Sequence, residues 1–453
     1  MTKWINETEF TGAVAAIKRL VDIPSVIDEA TMGAGQPFGK PIIDALDEAL
    51  RIATELGFTT YRDPKGYYGY AEIGEGEQIF GIVGHLDVVP GGDVSQWQYG
   101  PFNMQVVDDI MFGRGTQDDK GPTIAAMYAV KALVDAGLDF AGRIRVIFGT
   151  DEENLWRCMA EYNAHESGID MGFVPDASFP LTYAEKGLLD FDIVGPGSSV
   201  INFVAGGAYN AVPDSAEITL PSDKLAQVAE QLTKLGYEHT ILDSTITVKG
   251  KSAHAKEALE GVNAITHLGQ ALASVYPELS VLKFLAANDL AMEDQTTILG
   301  DIEDAESGIM SLNLGKITIT PAETRIAMNV RIPVTVAKET IVDQLKAYVA
   351  DYGLTFSEVD YLDPLYVEQD SPMVQTMLAV YQEISGDTEA KAMTSGGATF
   401  ARTIKNSVAF GAMFPDTPDY LHQPNERWAI KDMTKAMEIY AEVINRLFVS
   451  DNK

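Results

Sequence analysis

Apolar positions along the chain follow two periods, one of helices and one of strands. Residues 8–22 and 39–56 have helical spacing. In the second stretch Ile42, Ile43, Leu46, Leu50 and Ala53 share a face, and Gly57 follows as a stop. YYGYAEIG and QIFGIVGHLDVV then read as neighbouring strands, and TIAAMYAVKALVDAG (123–137) as a helix ending at Gly137. RIRVIFGTDEE is a buried strand running into an acidic cluster, and MGFVPDA a short strand ending at Asp176. This alternation predicts an α/β fold, a mixed sheet with helices on both faces.

From about Leu188 the pattern changes. AEITLP leads to a helix over Ser222–Leu235, STITVKGKSAHA alternates as a strand, GKITITPAETRIAMNVRIPV reads as a hairpin, and a helix follows over Glu339–Tyr352. After about Pro364 the first style returns: a helix near 371–385, the glycine-bearing TSGGATFAR, a strand SVAFGAMFP and a long terminal helix. The expected organisation is a discontinuous first domain, residues 1–187 and 367–453. Between its halves sits an inserted α+β lid domain, residues 188–366, with two strand–helix units. A chain of 453 residues is long enough to require more than one core.

Composition narrows the function classes. With 33 Lys+Arg against 66 Asp+Glu and a formal charge of -33, there is no basic surplus to neutralise phosphates. A nucleic-acid partner and an anionic membrane surface are therefore not expected. Cys158 is the only cysteine, so no internal disulfide can form, which suits a reducing cytoplasm. MTKWINETEF shows no basic region followed by an apolar core, and no apolar run is long enough to span a bilayer.

The polar residues at the strand ends carry the candidate chemistry. In order they are His85 and Asp87 in GHLDVVPGG, Asp118 and Asp119 in GRGTQDDKG, Glu152 and Glu153 in GTDEEN, Asp176 in VPDA, and His422 in YLHQPNE. Singly, such residues are ordinary turn formers or helix caps. Together they deliver His, Asp and Glu from five separate segments to the carboxyl ends of strands, where open α/β sheets bind ligands. Two histidines with several carboxylates suit Zn²⁺ or Mn²⁺, and a carboxylate left over suits a general base. His85 and Asp87, two apart at a strand end, are expected to share a face, so that Asp87 orients the His85 ring.

The segments GHLDVVP, GRGTQDDKGP, GTDEE, VPDA, GKSAHA with GVNA, and HQPNE occur in an order that resembles the M20 family of metallopeptidases (aminoacylase-1/carboxypeptidase-G2), and within it the bacterial dipeptidase V branch. The resemblance spans residues 84 to 426. It implies a di-metal dipeptidase acting on small peptides, with two divalent cations, zinc first and Mn²⁺ or Co²⁺ as alternatives. One cation would be held by His85, Asp118 and Asp176, and the other by Asp118, Glu153 and His422. Glu152 would be the general base, Asp87 an orienting partner of His85, and His254 in GKSAHA a stabiliser of the developing oxyanion. A cis peptide would follow Asp118. Asn210 and Arg331 match substrate-holding positions, and the loop containing Ser395, Gly396 and Gly397 offers backbone N–H groups for anion capture. The same chemistry would serve an N-acyl amino-acid deacylase or desuccinylase, and a non-catalytic binding protein on the same scaffold is a remoter alternative. Because the inserted domain is large, a functional monomer is expected. His165, His239 and His267 match no motif and are assigned structural or surface places. Lys120 and Arg114 are expected to support the Asp118 loop.

Overall fold

The computed structural model describes residues 3–288 and 296–450. By their contacts they fall into two units. One comprises Met1–Tyr183, Tyr366–Met393 and Thr399–Lys453, and the other Ala184–Leu365 with Thr394–Ala398.

The first unit is built on a mixed sheet. Its strands run in the order Thr59–Arg62, Tyr68–Gly74, Arg143–Gly149, Ile79–His85, Met171–Val174, Ser407–Ala409 and Thr182–Glu185. The three joints around Ile79–His85, Met171–Val174 and their neighbours are parallel, and the flanking joints are antiparallel. Strands 68–74 and 79–85, expected to be neighbours, are not: Arg143–Gly149 lies between them and pairs with both. Charge supports that order, since Arg145 stands opposite Glu72 and its Nε donates to the carboxylate at 2.7 Å. The apolar runs mark buried strands but carry no label for the neighbour on either edge.

Helices cover both faces of this sheet. Phe80 and Phe173 pack on the terminal helix Ile430–Phe448, with Phe80–Phe448 and Phe173–Tyr440 ring centroids 5.5 and 4.9 Å apart. Phe80 is registered with Ile144. Arg145, the next residue, therefore points the other way, where its guanidinium donates to the Tyr162 hydroxyl of helix Arg157–His165. On the first face the helix Lys120–Asp135 comes very close to the strand end. A Cβ on Gly84 would lie 1.7 Å from Thr123 Oγ1 and 2.6 Å from Asp119 Oδ2. Glycine before His85 thus lets the Asp118–Asp119 turn press against the strand that carries the histidine.

The second unit is α+β. A fully antiparallel sheet runs Phe203–Gly206, Ser311–Ile319, Glu323–Ile332, Gly187–Pro196, Thr355–Leu362. A smaller sheet joins Ser215–Thr219, Thr245–Lys249 and His239–Leu242. The expected hairpin over 315–334 is present, and the predicted helices appear as Ser222–Leu235 and Lys338–Ala350. The alternating strand in STITVKGKSAHA stops at Lys249, leaving GKSAHA outside the strand. Leu189, Phe191, Ile193, Ile326, Met328 and Val330 fill the core on one face of the large sheet. Asp190, Asp192, Asn329 and Arg331 alternate onto the other. Among the described residues no helix is long and apolar enough to cross a membrane.

Candidate metal centre

Five donor residues converge at the carboxyl ends of the first unit's strands. His85 ends the strand Ile79–His85, Asp118 precedes the helix Lys120–Asp135, Glu153 follows the strand Arg143–Gly149, Asp176 follows Met171–Val174, and His422 comes from the loop before Arg427–Ala429. Ligand atoms of His85, Asp118 and Asp176 lie within 4.8 Å of one another, and so do those of Asp118, Glu153 and His422. Asp118 belongs to both groups and divides its oxygens between them: His85 Nε2 is 2.9 Å from Oδ1, and His422 Nε2 is 3.0 Å from Oδ2. His422 Nε2 is also 3.1 Å from Glu153 Oε2, and His85 Nε2 is 3.6 Å from Asp176 Oδ2. The peptide bond between Asp118 and Asp119 is cis.

The electrostatics fit a cation site. Burial pushes the Glu152, Glu153 and Asp176 carboxyls above their usual range, and the negative charge of Asp118 adds to it in each case. So many carboxylates in one buried place need positive counter-charge. Asp118 behaves oppositely. Burial disfavours its charge, but bonds from His422 and His85 outweigh that and hold it below the usual range. Each group of three offers one imidazole and two carboxylates, a donor set suited to Zn²⁺ or Mn²⁺.

The histidines give a test that needs no turnover. Bonds to Asp118 and Glu153 push His422 up to about 10. At neutral pH, below that value, the ring carries an extra proton, and ligation requires its removal. Loading with Zn²⁺ at pH 7 is therefore expected to release protons. Calorimetric enthalpies should then change with the ionisation enthalpy of the buffer, and buffer-independent enthalpies would contradict the assignment of His422.

Asp87 meets the His85 ring, though not from a shared strand face. The strand ends at His85, so the two residues share no strand face. The His85 Nδ1 bond, at 2.9 Å, is to the backbone carbonyl of Asp87, while its carboxylate Oδ1 is 3.6 Å away. That carboxylate helps raise the His85 pKa and also accepts the backbone N–H groups of Glu152 and Glu153, both at 3.1 Å. One residue thus fixes the ring and the tip of the next strand together. Trp156 closes the same turn from Nε1 to the Glu152 carbonyl at 2.7 Å, and Arg157 pairs with Asp151 at 2.7 Å.

Glu426, at the end of HQPNE, was not singled out from sequence. Fully buried, it accepts N–H groups from Gly115 and Gln117, both at 2.9 Å, and from Asp118 at 3.3 Å. Arg114 Nη1 donates to its other oxygen at 2.5 Å. Burial pushes its carboxyl up to about 7. The motif that supplies His422 therefore also holds the Asp118 loop. The only available signal was an acidic residue beside a motif histidine, which reads equally well as a turn. Arg114 reaches this loop through Glu426. Lys120 is buried too, donating to the Leu20 and Ile23 carbonyls at 2.9 and 2.8 Å.

The second unit brings its own candidates together. His254 Nδ1 accepts the Lys256 N–H at 3.2 Å, which leaves Nε2 to carry the ring proton. Desolvation, Arg331 and Lys256 lower its pKa, favouring the neutral ring. Asn210 is exposed, and its carbonyl accepts the Ala255 N–H at 2.9 Å, directly beside His254. Arg331 lies on the polar face of its strand, yet is buried at 3% exposure. Its Nη1 donates to the Gly396 carbonyl at 3.1 Å. Ser395 accepts the Lys186 N–H, and Gly397 N–H donates to Ser395 Oγ, so the glycine loop is tied down beside Arg331. Elsewhere, His267 stacks on Tyr237 at 3.6 Å, while the His165 and His239 rings bond backbone carbonyls.

The fold is shared with solved structures: human carnosine dipeptidase 1 (TM-score 0.58, 17% identity, 96% of each chain) and an M20 family metallo-carboxypeptidase of Sulfolobus solfataricus (TM-score 0.59, 19% identity, 97% of this chain and 99% of that one). Sequence relatives include a provisionally named dipeptidase of Staphylococcus saprophyticus, 34% identical over 465 residues, covering 96% of this chain and 97% of that protein. A counterpart of Staphylococcus epidermidis is 35% identical over 466 residues, with the same coverage. The model of peptidase family M20/M25/M40 matches residues 81–446, the stretch that brings in every donor of the centre, and on that match and these relatives the chain belongs to this peptidase family.

Proposed function

We propose that the protein is a di-metal dipeptidase that hydrolyses the peptide bond of unblocked dipeptides. The observation that carries this is the pair of three-donor groups sharing Asp118, with the desolvated Glu152 carboxyl beside them. His85, Asp118 and Asp176 would hold one divalent cation, and Asp118, Glu153 and His422 the other. Zinc suits this donor set best, with Mn²⁺ or Co²⁺ as alternatives. Bound there, such cations supply Lewis acidity toward water and a carbonyl.

The chain's own residues do the rest. Glu152 takes a proton from the attacking water as the C–O bond forms, then delivers it to the amine nitrogen as the C–N bond breaks. Burial raises the Glu152 carboxyl above its usual range, the direction in which a general base is tuned. His254 presents Nε2–H to the carbonyl oxygen as charge gathers there, with Asn210 beside it. Arg331 and the backbone of the loop at Ser395, Gly396 and Gly397 take the free carboxylate of the substrate. We also propose a functional monomer, on the ground that the inserted domain is large and can supply His254 to its own chain.

Deacylation of N-acyl amino acids would use the same centre, and the dipeptidase naming of the relatives at 34–35% identity favours peptides. The carboxylate anchor separates the readings. Amidating the C-terminus of a good dipeptide is expected to lower kcat/KM sharply, and Arg331→Ala should hurt the free acid far more than the amide. Leaving a closed-site charge unpaired typically costs about 2–5 kcal/mol. Equal cleavage of acid and amide by the wild type would make the protein a general aminopeptidase or deacylase.

A further inference from the structure

The segment bearing Asn210 has no secondary structure of its own beyond a single bridge, Ala211 to His254. Two backbone bonds flank that bridge: Ala255 N–H to the Asn210 carbonyl at 2.9 Å, and Val212 N–H to the Ala253 carbonyl at 2.8 Å. Asn210 and His254 are therefore joined into one backbone-bonded piece. What fixes that piece is a side chain outside it. Asn313, on the strand Ser311–Ile319, is 2% exposed. Its amide nitrogen donates to the Tyr209 carbonyl at 2.7 Å and to the Ala211 carbonyl at 3.0 Å. The two bonds straddle Asn210 and use both protons of the amide.

The surroundings make this contact specific. Two positions on, a Cβ at Gly315 would lie 2.0 Å from the Ala208 carbonyl, so glycine is what allows the segment to lie against the strand. Ser311 Oγ, two positions before, donates to the Ala255 carbonyl at 3.1 Å. Both halves of the bridged piece are thus tied to one strand, with Asn313 at the centre.

We propose that Asn313 is a positioning residue that sets the place of Asn210 and, through the bridge, of His254. The inference rests on the roles proposed for those two side chains. Small displacements of such groups cost much more in rate than in stability, on the order of 10²-fold for about 1 Å.

The test is a pair of double-mutant cycles on the metal-loaded protein with a free dipeptide. Asn313→Ala is expected to lower kcat and raise KM, at unchanged metal content, by about 10-fold or more in kcat/KM. In the His254→Ala background the further kcat loss should shrink to within about 2-fold, and in the Asn210→Ala background the KM rise should do the same. Asn313→Ser, which keeps one donor, is measured in both backgrounds by the same criterion, so poor folding of the alanine variant does not block the result. Full additivity in either background, or wild-type kinetics for Asn313→Ala, overturns the proposal. If His254→Ala and Asn210→Ala themselves leave turnover intact, the proposed roles of those two residues fail instead.

Discussion

Replacing Glu152 with alanine is expected to leave both cations bound and to lower dipeptide turnover by about 10²–10⁴-fold, the usual worth of a general acid–base group. The two effects separate because Glu152 stands in neither group of ligands. Its backbone N–H is held by the Asp87 carboxylate, so the turn carrying Glu153 keeps its anchor when the side chain is removed. Metal content by elemental analysis, together with kcat on a free dipeptide, checks both halves. Near-normal turnover at full metal content would place the proton shuttle elsewhere. Loss of one cation would make Glu152 a ligand.

Helices bounded by glycine were readable from period alone, as with Lys40–Glu55 before Gly57 and Ser222–Leu235 before Gly236. The apolar strands were equally legible, but their order was not, because buried runs such as IFGIV accept any neighbour that hides their edges. The insertion of Arg143–Gly149 beside Ile79–His85 is recorded only in pairs such as Glu72 with Arg145. The donors were legible through their joint occurrence in an order that resembles a family, not singly: His85, Asp118, Glu153, Asp176 and His422 do stand together. Side chains that act on backbone were not. The Asp87 carboxylate grips two amides, Glu426 grips three, and Asn313 grips two carbonyls. Nothing in the residue type distinguishes such a hub from a turn former, since its partners are peptide groups present at every position.

Removing the cations is expected to have the largest effect of all. Asp118 meets both histidines, and Glu152, Glu153 and Asp176 crowd a buried place that disfavours their charge. Without divalent counter-charge, burial and mutual repulsion push these carboxyls toward the protonated form, and the Lewis acidity that activates water is lost. Loss of activity should therefore be complete rather than partial, and reversible, because the donors are held by buried anchors such as Glu426 that do not depend on the substrate. The most direct measurement strips the purified protein with a chelator, confirms the metal content, and follows hydrolysis of an unblocked dipeptide as Zn²⁺ or Mn²⁺ is returned. The account predicts no turnover in the stripped protein and recovery that saturates near two cations per chain. Full turnover with no metal bound would contradict it.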